Sequence, residues 1–434
     1  MQPIIGLVSL AGEFEVGFYK TPVLLKIAGE NLRKADFKIV KSDTVMYNSK
    51  TMKVVVNDLK EKEIDILCVC VGTWSEDHHL LDLLEYIKKP VILWAFPAVD
   101  TGSLCGVQQI CCVLKELDKE YFYVYGEADD TAIIEEIGRI ARAAALKNKL
   151  RHVKIGNIGG RIKGMTEIAF DELEIKDRTG VRIVNMDEDE LVEAFKLTDM
   201  KQAAEYWNNL KTKASKVSST DEHGIESIRY YFAMKKLIEE YDLEGIAVKC
   251  YPKWMGKICL GYSILSEEGV VCGCEGDVNN TVSMKILYEL SNTPTHNADL
   301  LYPDTDLNTI LFSHCGSGGF SIASSEKDIH LGPVRLADTG VCLLFPAKPG
   351  KVTLINLVGR KGTLRMSAII GEAVECGMEF PGNPMKVKFK KNVDEINRMI
   401  ANEGVGHHWI GGYGDMSKEL EYFCTLNRIR FIKL

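Results

Sequence analysis

The chain has 434 residues, 46% of them hydrophobic and 26% charged, so it can bury sizeable cores and lacks the composition of a disordered protein. Its formal net charge of −8 argues against a nucleic-acid groove, which needs clustered Lys and Arg. No segment approaches the roughly 18 uncharged apolar residues of a membrane span, and the N-terminal segment lacks the basic region of a signal peptide. We therefore expect a cytoplasmic protein of about three domains, with neither nucleic acid nor membrane as a partner.

Strands and helices alternate along the first third of the chain. Apolar segments such as residues 3–10, 64–74 and 90–98 predict strands, and the segments between them have helical periodicity. These strands do not alternate apolar with polar residues, so both of their faces are expected to be covered, as in a parallel sheet with helices outside. Such sheets bind ligands at the carboxyl ends of their strands.

A second α/β unit is predicted from residue 151. Its first strand leads into the glycine-rich segment 156–164, which lacks both the Gly-Lys-Ser/Thr of a phosphate loop and a dinucleotide fingerprint. A glycine-rich turn is therefore favoured over a nucleotide site. Later segments, 245–251 and 270–276, are predicted strands, each followed by a helical segment.

The pattern changes at about Pro294. Five strand-like segments separated by turns, and then one last helix at residues 392–404, predict an antiparallel β-domain that we interpret as a small barrel. The predicted fold class is thus α/β, with two Rossmann-like domains that contain parallel sheets and a C-terminal antiparallel β-barrel-like domain. The predicted domains are residues 1–150, residues 151–293, which carry Glu275, and residues 294–434, which carry Asp299 and a histidine pair.

Thirteen cysteines occur mostly inside apolar segments such as "ILCVCVG" and "GKICLGY". A secreted disulfide scaffold would instead place them in polar loops of a short chain. No Cys-x-x-Cys pair is present to indicate a structural zinc site. We interpret the cysteines as reduced, small, buried residues of a cytoplasmic protein.

Two acids follow a predicted buried strand in "VVCGCEGDVNN", residues 270–280, with no basic residue nearby. An unpaired carboxylate at the end of such a strand costs several kcal/mol unless a cation compensates its charge. We therefore predict that Glu275 is a metal ligand. Asp277 is better interpreted as the N-cap of the following helix.

Later segments add further candidate ligands. Asp299 lies among apolar residues, with a turn acid as the alternative, and His314 ends an apolar strand before a flexible Gly-Ser loop. In "GVGHHWIGGYGD", His407 and His408 lie on an extended segment and so point to opposite faces. Imidazoles and carboxylates together suit Mn²⁺, Fe²⁺, Co²⁺ or Zn²⁺.

A second histidine pair, His78 and His79, follows "GTWSED" at a predicted helix start. A structural role at the start of this helix is favoured there over metal binding.

The segments "CEGDVNN", "ADLLYPD…LFSHCGSGG" and "GHHWIGGYGD" resemble, in order and spacing, the L-fucose isomerase and L-arabinose isomerase superfamily. The stretches "GTWSED", "ILWAFPAVDTGSLCG" and "AVKCYP" resemble its fucose-isomerase-like members, so the resemblance covers most of the chain. It implies a metal-dependent aldose–ketose isomerase that uses an enediol mechanism, in which Glu275, Asp299 and a histidine of the 407–408 pair hold one Mn²⁺. The aspartate at position 299 resembles the fucose branch of the superfamily. His314 and the histidine pair resemble the arabinose branch, in which a histidine at the place of His314 adds a fourth metal ligand.

The resemblance also implies roles for these residues. Glu275 and Asp299 would both bind the metal and transfer protons, His408 would be the histidine ligand, and His407 would contact the sugar. Trp74 and Gln108, in loops at the end of the first sheet, would reach the substrate in a homo-oligomer, a hexamer or a trimer, with sites at subunit interfaces.

The identity of the sugar stays open among deoxy-sugars, pentoses and acidic or sulfonated sugars. A metal-dependent aldolase or epimerase using the same enediolate, and a non-catalytic sugar-binding protein, are the alternative functions.

Overall fold

The computed structural model describes residues 2–98 and 100–434. Val99, in one of the stretches that carry the family resemblance, lies outside the described residues. The chain divides into two compact units. The first unit contains the residues up to Lys149 together with Lys418–Leu426, and the second contains Leu150–Ser417 and Asn427–Leu434. The three-domain division, with a boundary near residue 293, stays a prediction.

The first unit is built on a five-stranded parallel sheet whose strand order is β2-β1-β3-β4-β5. Its strands are β1 (Ile4–Leu10), β2 (Lys38–Met46), β3 (Ile66–Val71), β4 (Val91–Ala95) and β5 (Tyr121–Tyr125). Its helices are α1 (Thr21–Lys34), α2 (Ser49–Leu59), α3 (His78–Tyr86), α4 (Ser103–Glu116) and α5 (Thr131–Leu150). Every residue of β3 and β4 is buried, as the unbroken apolar segments predicted.

The second unit begins with a four-stranded parallel sheet of order β10-β9-β6-β7. The elements up to residue 291 are β6 (Lys154–Ile158), α6 (Glu172–Thr179), β7 (Arg182–Met186), α7 (Glu188–Lys196), α8 (Met200–Lys211), β8 (Lys216–Val217), α9 (Asp221–Tyr241), β9 (Gly245–Val248), α10 (Cys259–Glu267), β10 (Val271–Gly273) and α11 (Val278–Ser291). The prediction of two parallel α/β sheets is confirmed.

A third, mixed sheet follows, with the strand order β15-β18-β11-β12-β17-β16-β19. The remaining elements are β11 (His296–Asp304), β12 (Thr309–Ser313), β13 (His330–Gly332), β14 (Cys342–Leu344), β15 (Gly350–Val358), β16 (Arg365–Val374), β17 (Met385–Lys388), α12 (Val393–Glu403), β18 (His408–Tyr413), α13 (Ser417–Leu426) and β19 (Arg430–Lys433). Neighbouring strands are antiparallel except for β16 and β19, which are parallel. β15 also pairs with β16, and the barrel-like form of this part of the chain stays a prediction.

Three features of this part of the chain differ from the predictions. β11 was not predicted as a strand, because Pro303 and the acids that follow it read as a turn. β14 does not join the third sheet but pairs with β13 in a separate three-stranded sheet that also includes β8. The helix at residues 392–404 is not the last one, since α13 follows it and packs in the first unit.

The helix α11 connects the two larger sheets of the second unit. Residues 278–287 are all buried, so this helix is covered on every side rather than on one face. It packs against β9 and β10 of the parallel sheet and against β15 and β18 of the mixed sheet. The N-terminus of α11 therefore lies where the carboxyl end of β10 and the start of β18 come together.

The described residues contain no helix that combines the length and the apolar character needed to cross a membrane. All thirteen cysteines are free, and eight of them are buried. The cytoplasmic location stays a prediction.

Candidate metal centre and active site

The site begins where β10 ends in a short helical turn, Cys274–Gly276. Glu275 has a φ of 64° and a ψ of 14°, a left-handed conformation that is uncommon for a residue other than glycine. Its backbone N–H donates to the Sγ atom of Cys250, at 3.4 Å. Strained residues of this kind persist where the surrounding structure fixes them, and they cluster at functional sites.

Gly276 continues the left-handed turn with a φ of 72°. A Cβ atom at this position would lie 2.0 Å from the carbonyl oxygen of Gly160 and 3.0 Å from Cα of Arg161. Only glycine therefore allows the glycine-rich segment after β6 to pack directly against the turn that carries Glu275.

Asp277 is the N-cap of α11, as predicted. Its side chain accepts a hydrogen bond from the backbone N–H of Asn280 at 3.0 Å and one from the side-chain amide of Asn280 at 2.6 Å. The structure adds a third partner, because Nδ1 of His408 donates to Oδ2 of Asp277 at 2.8 Å. Both side chains are almost completely buried, with exposed fractions of 2% for Asp277 and 1% for His408.

The second ring nitrogen of His408, Nε2, faces the other acids of the site. It lies 3.0 Å from Oε2 of Glu275 and 3.9 Å from Oδ1 of Asp299. Burial by itself would lower the pKa of His408, but its hydrogen bonds with Asp277 and Glu275 raise the pKa well above the usual value. Burial would likewise raise the pKa of Glu275, and the hydrogen bond with His408 together with the charges of nearby histidines lowers it instead.

Asp299 and His314 come from neighbouring antiparallel strands. Asp299 lies in β11, opposite Ser313 of β12 on one side and opposite His408 of β18 on the other. Its Oδ2 atom is 4.0 Å from Nε2 of His314, which directly follows β12 and is buried. Oδ1 of Asp299 and Nδ1 of His314 are buried atoms without a hydrogen-bond partner.

His407 has a different environment from its neighbour. Its side chain is 39% exposed, and its Nδ1 atom lies 2.7 Å from Oε1 of Glu167. Glu167 belongs to a short helical turn, Thr166–Ile168, after the glycine-rich segment. The predicted alternation does not separate the two histidines, because His407 precedes β18 and its ring centroid lies only 4.0 Å from that of His408. Within β18 the alternation holds, since His408 faces Glu275 and Asp277 while Trp409 packs in the core of the mixed sheet.

The side chains of this region suit a divalent cation. Potential ligand atoms of Glu275, His314 and His408 lie within 4.8 Å of one another, and so do those of Asp299, His407 and His408. Two carboxylates and two or three imidazoles are a donor set for Mn²⁺, Fe²⁺, Co²⁺ or Zn²⁺. The unpartnered Oδ1 of Asp299, which lies 3.9 Å from Nε2 of His408, fits this interpretation, because buried polar atoms normally have a partner.

The first unit holds the two remaining candidates. Trp74 follows β3 and is 38% exposed. Gln108 lies within α4, not in a loop as expected, because that helix already begins at Ser103. Its neighbour Gln109 is the residue that contacts Trp74, accepting a hydrogen bond from the indole Nε1–H at 2.8 Å. Substrate roles for Trp74 and Gln108 stay predictions.

Three contributions escaped sequence reasoning: the contact of Asp277 with His408, the contact of Glu167 with His407, and Gln109. The first two pairs join residues more than 100 positions apart in the chain. The sequence shows the segments that contain Asp277 and Glu167, but no pattern within either segment indicates that its acid contacts a histidine of the 407–408 pair.

A group of carboxylates and imidazoles lies at the carboxyl end of a parallel sheet, and this arrangement is typical of enzymes whose active site can hold a metal ion. Comparison with known proteins agrees with this class. No protein-family model matches the chain. It is 26% identical to the sulfoquinovose isomerase of Priestia megaterium over 88% of this chain and 88% of that protein.

Two further relatives extend this finding. The chain is 24% identical to the sulfoquinovose isomerase of Alkalicoccus urumqiensis, over 83% of this chain and 84% of that protein. It is 20% identical to the L-arabinose isomerase of Flavobacterium johnsoniae, over 93% of this chain and 90% of that protein. The predicted resemblance to the fucose and arabinose isomerase-like proteins is thereby confirmed, and these relatives indicate an aldose–ketose isomerase.

One matching solved structure is the periplasmic binding protein of an arabinose transporter from Shewanella. It is 12% identical to this chain, and the match covers 66% of this chain and 85% of that protein. Its TM-score of 0.18 is too low to relate the two folds.

We expect the substitution Gly276→Ala to lower the free energy of unfolding by about 2–4 kcal/mol, because it combines a left-handed alanine with a clash against Gly160. Gly164→Ala is the matched control, since Gly164 has a φ of 97° but no atom within 4 Å of its Cβ position. Only the backbone cost of about 1–2 kcal/mol should appear there. Chemical denaturation of both variants measures the difference, and equal losses would contradict the close packing at Gly276.

Proposed function

We propose that the chain converts a sulfonated aldose into the corresponding ketose, using one divalent cation, Mn²⁺, held by Glu275, Asp299, His314 and His408. The observation that carries the proposal is the convergence of these four side chains in the second unit, at distances of 3.0–4.0 Å between neighbouring ligand atoms. The substrate class comes from relatives named for sulfoquinovose, a hexose that bears a sulfonate group. Their names favour an isomerase over an aldolase, an epimerase or a binding protein.

A cation in this position would offset the negative charge that develops on the sugar oxygens when C2 loses its proton. The remaining chemistry belongs to the carboxylates. The carboxylate of Glu275 can serve as the group that accepts a proton. One carboxylate removes the proton from C2 while the carbonyl oxygen on C1 is protonated, which gives the enediol. Loss of the O2 proton and return of a proton to C1 then complete the ketose.

The hydrogen bond from His408 to Asp277 fixes the tautomer of the imidazole. Because Nδ1 carries the proton that Asp277 accepts, Nε2 is the nitrogen that faces Glu275 and Asp299, and it would bind the cation in place of the proton that it shares with Glu275. This arrangement supports His408 rather than His407 as the ligand. His407, more exposed and bonded to Glu167, is suited to contact the sugar hydroxyl groups.

An anionic substrate needs a cationic group near the reacting carbons. Arg161 is exposed and follows Gly160, whose carbonyl packs against Gly276, beside Glu275. Its guanidinium donates to the carbonyl oxygens of Ile162 and Met165, both at 3.3 Å. The planar guanidinium has further N–H groups with which to bind a sulfonate.

Exhaustive treatment with EDTA should abolish ketose formation from sulfoquinovose, and added Mn²⁺ should restore it. The cause is loss of the cation that offsets charge on the enediolate. A panel containing sulfoquinovose, L-arabinose, L-fucose and a hexuronic acid, read by ketose formation, identifies the preferred sugar. Full activity after chelation would refute the metal proposal. Turnover of the neutral sugars alone would refute the proposal that the substrate is sulfonated.

His408→Ala should lower Mn²⁺ affinity by at least ~100-fold, and Asp277→Asn by about 10–100-fold, because the asparagine still caps α11 but no longer holds the imidazole as a carboxylate does. His407→Ala should leave Mn²⁺ affinity nearly unchanged and mainly raise the Michaelis constant. Electron paramagnetic resonance titration of free Mn²⁺ measures each affinity. Normal affinity in His408→Ala combined with a collapse in His407→Ala would reverse the two assignments.

We further propose that the protein is a homo-oligomer, a hexamer or a trimer, in which the first unit contributes to the site of a neighbouring subunit. The support is a set of exposed aromatic side chains in the connections after β1 and β3. Phe14 is 97%, Tyr19 73% and Trp74 38% exposed. Large exposed apolar groups that lie close together are typical of interaction surfaces.

The double substitution Phe14→Ser/Tyr19→Ser should shift the sedimentation profile toward smaller species and reduce turnover, because it removes apolar area from the interface. Tyr86→Ser is the control, since Tyr86 is 61% exposed but lies at the end of α3, toward the amino end of β4 rather than in a connection at the carboxyl ends of the strands. A fully active monomer at assay concentration would overturn the proposal.

A further inference from the structure

A second group of ligand-type side chains lies in the first unit, between β3 and α3. Glu76 precedes the helix, and His78 and His79 are its first two residues. This connection follows β3. The chain runs from β1 to β2 on one side and then crosses to β3 on the other side of β1, so the strand order reverses between β1 and β3. In open α/β sheets, such reversal points are where ligands bind, outside the carboxyl ends of the strands.

The geometry of this group suits a single cation. Oε2 of Glu76 lies 3.1 Å from Nε2 of His79 and 3.9 Å from Nε2 of His78. One ligand atom from each of the three residues lies within 4.8 Å of the other two. The two imidazole rings have their centroids 4.0 Å apart and are tilted by 55°, so both can turn a nitrogen toward one point.

His79 provides an independent observation. Its exposed fraction is only 4%, yet neither of its ring nitrogens has a hydrogen-bond partner, and its contact with Glu76 does not have hydrogen-bond geometry. A buried polar group left without a partner costs about 1–3 kcal/mol. A cation shared with Glu76 and His78 would give the imidazole its missing partner.

We propose that Glu76, His78 and His79 form a second divalent-metal site, separate from the site proposed for the isomerase reaction and selective for Zn²⁺, Co²⁺ or Ni²⁺. Two imidazoles and one carboxylate bind these cations well, whereas Mn²⁺ prefers oxygen ligands. Water completes the coordination, because Glu76 and His78 are exposed to solvent with exposed side-chain fractions of 60% and 54%.

The site has a structural consequence for the loop that presents Trp74. Asp77, between two of the proposed ligands, accepts a hydrogen bond from Nε2–H of Gln109 at 3.1 Å. Gln109 in turn accepts from the indole N–H of Trp74. Metal binding on both sides of Asp77 therefore fixes the segment 74–79 as one unit, with Trp74 held at its exposed end.

The test uses the full chain without a histidine tag, stripped of metal and then titrated with Co²⁺, with absorption spectra and metal content per chain as readouts. We expect two Co²⁺ per chain in the wild type. His78→Ala and Glu76→Gln should each bind only one Co²⁺. Each variant removes a ligand itself, so the affinity of the first-unit site should fall by more than the ~10–100-fold that follows loss of a group supporting a ligand. Both residues are exposed, so neither substitution should unfold the protein.

His408→Ala should lose the Co²⁺ of the second unit and keep the one bound in the first unit. A failure of the proposal for one site can therefore be distinguished from a failure of the proposal for the other. His223→Ala, at a partly exposed histidine on α9, is the control for non-specific binding and should retain both. Amide hydrogen exchange in residues 74–79 should slow when Zn²⁺ is added. A stoichiometry that His78→Ala and Glu76→Gln leave unchanged, or that His223→Ala lowers equally, would overturn the proposal.

Discussion

The hydrogen bond between His408 and Asp277 is the interaction on which the rest of the site depends. It joins the start of α11 to β18, two elements far apart in the chain, and both of its side chains are buried. A buried carboxylate and imidazole each need a partner, so removing either one leaves the other uncompensated. The bond also sets the orientation of His408, which brings its second nitrogen to Glu275 and Asp299.

The backbone around Glu275 is held by packing rather than by local preference. Two successive residues, Glu275 and Gly276, have positive φ angles, and such a conformation costs of order 1–3 kcal/mol for a residue other than glycine. The close contact of Gly276 with Gly160 and the buried helix α11 that follows offset this cost. The carboxylate of Glu275 is thereby fixed in the position where it meets His408.

The two proposed metal sites differ in ways that follow from their donor atoms. The site in the second unit combines carboxylates and imidazoles from one parallel and one mixed sheet, and its two imidazoles, those of His314 and His408, are buried. The site in the first unit consists of three residues close together in sequence, and two of them are exposed. A site assembled from several distant elements requires the complete fold, whereas a local site needs only the loop and the helix that carry it.

The sequence by itself determined the α/β class, the parallel sheets, the position of Glu275 after a buried strand, the cap at Asp277 and the opposite faces of His408 and Trp409. Each of these follows from a local pattern: apolar segments, helix-start residues and the two-residue period of a strand. Only the tertiary structure decided that β11 lies between β12 and β18, that α13 packs in the first unit, and that Asp277, Glu167 and Gln109 bind particular distant side chains. Strand neighbours and side-chain partners depend on how the whole chain is packed, and no periodicity within a short segment encodes which distant residue will be adjacent.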